Sequence, residues 1–387
     1  MSYARSRLWL GMSGVGLIVL LALGLLLMRL PLSLLPTDLT WSSADLIALG
    51  SILAVFVVFM MPLDFLGGYL FPNLRGPRKI AGKAFLMSWT RGTSTQSAFF
   101  MIASVVLLSL GRWGGSLGAS VGLAALCLLL LAFQLRLGRL TGALGEINQL
   151  GAADHEQVEA ATRLVTTLGW KGRRLVFLSH QDPGFTGGIV GLPWCEKVVL
   201  PVGMLGRLST DELAATIARR LEAIDDGSRT RGLMVALAWV LFGFNLSAFL
   251  PGAGVASVAE LATTCLGFTL WSFLGLLVLP SLSRQASFSI DSKVIRRGVP
   301  AESLTRSLTK FDQLQDDEPE RPPMIEAIFH PVPSVARRRG QIAARTPIAW
   351  HAARMTLFLS WACMGILVRA VHCNVGRPEL WVMYPTD

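Results

Sequence analysis

The stretch Leu208-Ser-Thr-Asp-Glu-Leu-Ala-Ala-Thr-Ile-Ala-Arg-Arg-Leu-Glu-Ala-Ile224 decides how this chain is read. Ser209, followed three residues later by Glu212, forms a capping box in which each side chain accepts the other residue's backbone N–H. A helix is therefore predicted over Thr210–Ile224, with Gly227 as its glycine stop. Upstream, Arg174–Ser179 and Lys197–Val202 are rich in β-forming residues and flank a connection containing Gly, Pro and Trp, so they read as two strands of a small sheet. Before them, Asp154–Leu168 sets Val158, Ala161, Leu164, Val165 and Leu168 at helical spacing and ends at Gly169. The order is helix, strands, helix.

Beyond this polar block the chain is apolar. Of 387 residues 52% are hydrophobic and 16% charged, which marks a polytopic membrane protein. Clear spans are Leu8–Leu30, Asp45–Leu66, Leu117–Leu135, Gly232–Leu250, Leu261–Leu282 and Met355–Val371, each near the ~20 residues that a helix needs to cross the hydrocarbon core. The shorter run Gln96–Leu110 is a seventh if it borrows residues from Thr93–Thr95. Leu8–Leu30 is too long for a signal peptide and lacks a small-residue cleavage site, so it reads as a retained first helix. The Gly-rich run Gly111–Gly122 opens a membrane helix, where glycines serve packing.

Charge gives an orientation. The loop Leu70–Ser94 carries Arg75, Arg78, Lys79, Lys83 and Arg91 and no acid, whereas Pro31–Ser43 has only Asp38. The first is expected in the cytoplasm and the second outside. Seven crossings then set the N-terminus and the segments Leu137–Arg231 and Ser283–Ile348 in the cytoplasm, with the tail His372–Asp387 outside. The formal charge of +10 follows from this topology and from contact of Arg75, Arg78, Lys79 and Lys83 with anionic lipid headgroups. Nucleic acid is not expected, because Leu137–Arg231 balances its basic and acidic residues. Cys127, Cys265 and Cys363 lie in spans, Cys195 in a polar segment and Cys373 alone near the end, so neither a disulfide network nor a metal-like spacing is present.

The helix opening Leu-Ser-x-Asp-Glu-Leu resembles the active-site helix of HtpX-like and CAAX-prenyl-type membrane zinc proteases, which runs on through Ala into H-E-x-x-H. In such a helix two histidines one turn apart bind zinc and the glutamate activates the zinc-bound water. Arg219, Arg220 and Ala223 stand at those three positions. Ser283-Arg-Gln-Ala-Ser-Phe-Ser-Ile-Asp291 resembles the family's second motif, with Ser287 at the third-ligand glutamate, Ile290 at the alanine and Asp291 kept. Phe329-His-Pro-Val-Pro-Ser-Val-Ala-Arg337 resembles the His-Pro segment, through His330, Pro331 and Arg337, although Arg337 arrives one residue late and Arg338 and Arg339 stand beside it. The resemblance covers roughly Asp154–Arg339 as an ordered series of motifs. It implies a helical membrane protein of about seven spans with a cytoplasmic α+β zincin-like (gluzincin) domain, in which a sheet edge beside the metal holds substrate as an added strand.

On this reading residues 1–136 form an N-terminal membrane region of four helices, 137–231 the cytoplasmic helix, sheet and degenerate helix, and 232–282 a membrane hairpin. Residues 283–348 form a second cytoplasmic segment, and 349–387 a last membrane helix with an outside tail. The expected setting is a bacterial cytoplasmic membrane. Zinc needs about three His, Cys or carboxylate ligands, whereas these positions offer two permanent cations, so no metal, no cofactor and no catalytic residue are expected. The expected role is a catalytically inactive homologue that binds, scaffolds or assembles with other integral membrane proteins. Three alternatives stand beside it: a quality-control adaptor that holds substrates without cleaving them, a peptidase that uses other ligands, and a transporter or channel, for which Gln134, Asn245 and Glu260 are too few polar residues to define a path. Arg219 is expected to replace zinc as a positive cross-link to Asp291.

Other residues have plainer readings. His155-Glu156-Gln157-Val158-Glu159 is the polar face of its helix, and His180 and His330 are loop histidines. Glu222, Asp225 and Asp226, with Arg219, Arg220, Arg229 and Arg231, read as a solvated charged surface, and Gln315–Pro323 as a flexible loop. Asp45, Asp64 and Glu260 lie near span ends, where a single acid is interfacial. No G-x-S-x-G elbow, P-loop or dinucleotide fingerprint occurs.

Overall fold

The computed structural model describes residues 3–76, 79–145, 150–171, 175–182, 184–315, 321–340, 348–371 and 374–382. In chain order the helices are α1 (Tyr3–Leu27), α2 (Leu30–Leu34), α3 (Ser43–Phe65), α4 (Phe71–Arg75), α5 (Gly82–Thr141), α6 (Ala152–Thr167), α7 (Thr210–Asp225), α8 (Ser228–Ala248), α9 (Val258–Arg296), α10 (Ala301–Leu314), α11 (Pro323–Phe329), α12 (Val335–Gly340) and α13 (Ala352–Ser360). The strands are β1 (Leu144–Gly145), β2 (Leu175–His180), β3 (Gly188–Val190) and β4 (Lys197–Pro201). The chain divides into two compact units. One takes residues up to Leu130 with Ala236–Gly275 and Thr356–Val382, and the other takes Leu131–Val235 with Leu276–Met355.

Among the described residues five helices are long and apolar enough to cross a membrane: α1, α3 with its extension to Arg75, α5, α8 and α9. The 60-residue α5 is two rods joined at a kink, because Gly115 takes φ 60° and ψ −150°, a region essentially closed to residues with a Cβ. Gln96–Leu110 lies inside the first rod, which begins at Gly82 and so has the length that the run alone lacked. Counting both legs gives six membrane-length rods.

The last expected span is corrected. Met355–Val371 is not one helix: α13 ends at Ser360, the 3₁₀ turn Trp361–Cys363 follows, Met364 takes φ 56°, and a second 3₁₀ turn covers Ile366–Arg369. Gly365 N donates to Ser360 O (2.8 Å), which closes the helix end. Nine helical residues rise only ~14 Å, about half of the hydrocarbon core. An outside C-terminal tail therefore no longer follows from counting crossings.

Within the first unit this irregular segment is tied down by charge. Arg369 pairs with Asp64 of α3, which also accepts from Trp89 Nε1 (2.9 Å). Asp64 is buried and paired, not a lone interfacial acid. Asp45 is likewise paired, with Arg112 at 3.3 Å, and that guanidinium also covers the Trp41 ring at 4.6 Å. Glu260 Oε2 accepts Ala256 N (2.9 Å) beside the start of α9.

The second unit is built on a four-stranded sheet in the order β1-β2-β4-β3. β2 and β4 pair in parallel, with Val176 opposite Val199, while β3 returns antiparallel along β4, with Ile189 opposite Val198. The two expected strands are β2 and β4. β3, hidden in the connection between them, forms one edge of the sheet. Val198 and Leu200 of β4, Val165 of α6, Ile217 and Leu221 of α7, Ile290 and Val294 of α9, and Leu304 and Leu308 of α10 share one apolar core. At its centre α7 is buried from Glu212 to Ile224 on every side. Each polar side chain on that stretch must therefore find a partner inside the protein, since an unmet buried charge is expensive.

Candidate functional site

The capping box that starts α7 is formed: Ser209 N donates to Glu212 Oε2 (2.8 Å) and Glu212 N to Ser209 Oγ (3.4 Å). The same carboxylate meets Lys310 Nζ (2.6 Å) and Arg306 Nε (3.4 Å) of α10. Burial works to raise the Glu212 carboxyl, but Lys310, the Ser209 amide and Arg306 outweigh it and hold the group below its usual range. Glu212 thus fixes the start of α7 against α10.

Two and a half turns later Arg219 sets its Nε 2.8 Å from Asp291 Oδ1, with both side chains buried. Its guanidinium carbon lies 5.1 Å from the centre of the Trp350 ring, within cation–π range. Asp291 sits on α9, on the face shared by Arg284 and Ser287 at helical spacing. Its two oxygens also take a fork from Arg338 of α12, Nε to Oδ2 at 2.7 Å and Nη2 to Oδ1 at 2.9 Å. One carboxylate thus joins three helices through two guanidinium groups. The expected contact between Arg219 and Asp291 is present. The arginine one place beyond Arg337 completes it.

The remaining positions of the resemblance separate. Arg220 turns from Asp291 to the sheet and donates from Nη2 to Thr186 O (2.6 Å), beside the start of β3. Gly187 makes room there at φ 95°: a Cβ would lie 2.2 Å from Val199 O and 3.2 Å from Arg220 Nη2. Ala223 is fully buried, and Ser287 Oγ donates back along its own helix to Ser283 O (3.2 Å). His330 is buried after α11, where its carbonyl accepts from Arg284 Nη1 (3.3 Å), which also reaches Glu326 O (3.0 Å). Pro331 follows, partly buried. Arg337 lies 3.6 Å from Glu326 Oε1 and is half exposed, so it does not serve Asp291.

The charged surface expected around α7 is corrected as well. Glu222 is buried, where it accepts Trp170 Nε1 (3.0 Å) and pairs with Arg297 (3.0 Å). Arg229 is 2% exposed and donates to Gly191 O (2.9 Å) and Ile189 O (3.4 Å). Asp225 is exposed, and Asp226, which pairs with Arg231 and Lys293, is partly so. The sequence hid this because the cover over α7 comes from α9 and α10, remote along the chain. His155, Glu156 and Glu159 are exposed on α6, and Glu159 pairs with Arg163 (3.7 Å). His180 closes β2 and stacks on Phe185, so it is a strand residue, not a loop one. Most of Gln315–Pro323, like Arg78 and Cys373, lies outside the described residues.

No family model matches this chain, and no curated protein matches it in sequence. Among solved structures it matches the crystal structure of S. mikatae Ste24p with a TM-score of 0.62, over 78% of this chain and 76% of that chain. The chain has a Ste24-like fold. Sequence identity over the match is 13%, so the likeness is one of fold. Ste24p is a CAAX prenyl protease, a membrane zinc metalloprotease. The residues that the sequence resemblance sets at the zinc-ligand positions do not fit a zinc ion. Arg219 and Arg220 carry no lone pair to donate, Ala223 has no polar atom, and the Ser287 hydroxyl is bonded within its own helix. Among the described residues no three of His, Cys, Asp and Glu come together as metal donors.

Proposed function

We propose that this Ste24-like membrane protein is a degenerate, HtpX-like member of the fold that carries no peptidase chemistry and serves as a binding or assembly subunit for other integral membrane proteins. The observation that carries the reading is the buried junction at Asp291, which pairs with Arg219, the residue that the sequence resemblance sets at the first zinc-binding histidine. A guanidinium there repels a divalent cation, and a second one at Arg338 adds to the repulsion. The fold offers surfaces without the reactive centre. Its home is a bacterial cytoplasmic membrane, with the basic segment around Arg75, Lys79 and Lys83 facing anionic headgroups.

The test is gentle purification of the full chain, metal analysis, and identification of the proteins that come with it. The expected result is less than stoichiometric zinc, no cleavage that a chelator abolishes, and one or more membrane proteins in constant ratio. One tightly held zinc per chain, or chelator-sensitive peptidase activity, overturns the reading. A second reading takes support from the edge position of β3, which Arg220 braces through Thr186. An adaptor would hold an unfolded segment along that edge by main-chain hydrogen bonds. Saturable binding of extended peptides without cleavage, in place of a constant partner, would favour it.

A further inference from the structure

The turn between β3 and β4 carries an indole in a position where physical chemistry calls for glycine. Cys195 N donates to Leu192 O (3.1 Å), which closes a four-residue turn with Pro193 second and Trp194 third. Trp194 takes φ 69°. Proline at the second place and positive φ at the third define a type II turn, whose third residue is ordinarily Gly or Asn. A side chain with a Cβ in that region costs ~1–2 kcal/mol. The strain brings no packing in return, because Trp194 is 88% exposed, and Leu192 and Pro193 beside it are only partly covered.

The root of this turn is fastened to a membrane-length helix. Arg229, in the first turn of α8, donates to Gly191 O at 2.9 Å and Ile189 O at 3.4 Å, the last residues before the turn. Gly191 itself has φ 98°, and a Cβ there would come within 2.8 Å of Cys195 O, so the loop is tightly closed. The apolar course of α8 begins three residues after Arg229, at Gly232 and Leu233. The root of the turn therefore lies within an arginine's reach of the first turn of α8, just before its apolar course. Tryptophan is enriched at the membrane–water interface, where its ring meets the acyl chains and its N–H meets the wet headgroup region.

We propose that Leu192-Pro193-Trp194 is an interfacial membrane anchor, with the Trp194 ring seated in the headgroup and glycerol layer of the membrane that α8 crosses. The occupant is lipid because the turn is braced by the entry of a membrane helix. The proposal rests on α8 crossing the membrane and is independent of whether the chain retains peptidase chemistry.

The experiment uses the purified full chain, one copy per lipid nanodisc, in phosphatidylcholine with phosphatidylglycerol. Subtracting the emission of Trp194→Phe from that of the unaltered chain isolates one indole among the eleven. The expected difference spectrum is blue-shifted, shielded from iodide, and quenched severalfold more by lipids brominated near the acyl carbonyl than by lipids brominated near the chain end. Trp194→Gly gives a second subtraction. Because glycine accepts the turn without strain, its thermal midpoint in detergent should equal or exceed that of the unaltered chain. A red-shifted component that iodide quenches and brominated lipid does not overturns the proposal. So does shielding that appears only when another protein is added, which would make this surface a protein contact.

Discussion

Replacing Asp291 with Asn removes the buried carboxylate that pairs with both Arg219 and Arg338. The side chains of Arg219, Asp291 and Arg338 are 4%, 7% and 5% exposed, so water cannot take over the lost role. Breaking one buried pair by deleting a partner costs ~3–5 kcal/mol. Asp291→Asn takes a paired carboxylate from two guanidiniums and belongs at the upper end of that range, whereas Arg219→Ala leaves the Arg338 fork in place and belongs at the lower end. At roughly 2–4 °C per kcal/mol for a unit of this size, the melting midpoint falls on the order of 6–20 °C. Arg306→Ala is the control. Its side chain is 46% exposed, and a surface pair is worth ~0–1 kcal/mol. The assay is thermal unfolding in detergent, followed by tryptophan emission, with all variants in one buffer. The double variant Arg219→Met with Asp291→Leu should recover part of the loss, since apolar replacement of a whole buried pair is close to neutral. If Asp291→Asn and Arg219→Ala melt within 2 °C (about the shift for 0.5–1 kcal/mol) of Arg306→Ala, the junction carries no weight and the reasoning fails.

Glu212 gives a pH dependence. Its folded pKa lies below the unfolded value near ~4.3, so its stabilisation is complete above that value and is lost as pH falls through the folded pKa. Unfolding midpoints measured from pH 6 downward should fall less steeply in Lys310→Met than in the unaltered chain, and equal slopes would contradict the assignment. Gly187→Ala should destabilise by at least ~1 kcal/mol, because the residue combines φ 95° with a Cβ position 2.2 Å from Val199 O. An unchanged midpoint would mean that the edge strand shifts freely. Reporter fusions after Arg78, within Gln315–Pro323 and at Asp387 should all report one side of the membrane, as six crossings require, and an outside C-terminus would restore a seventh.

The helix at the centre of the second unit was legible because its signals are local: Ser209 and Glu212 cap it, and the apolar residues behind them repeat at helical spacing. Its complete burial was not, because a helix whose polar face is covered by α10 and α9 has the same sequence pattern as one whose polar face meets water. Glu222 reads as a surface residue for that reason, and Arg229, on α8, because its partners are main-chain oxygens at the end of β3. Asp291 and Arg219 could be matched from the order of motifs, but the register of the short α12, which presents Arg338 and not Arg337, depends on tertiary packing. β3 is three residues long, too short for alternation to register. In the last apolar run, hydropathy measures average composition and is blind to a chain that stops at Ser360, turns through Met364 and spends Arg369 on Asp64.

The fork at Asp291 also bears on how the molecule comes into being. A metal-bridged junction waits for an ion: it can be made empty, filled with the wrong element, or stripped when supply runs short. Here the bridging cations are encoded in the chain itself, on α7 and α12, and arrive with translation. On the proposed reading the junction is complete as soon as its three helices meet, at whatever concentration of free zinc the surroundings hold.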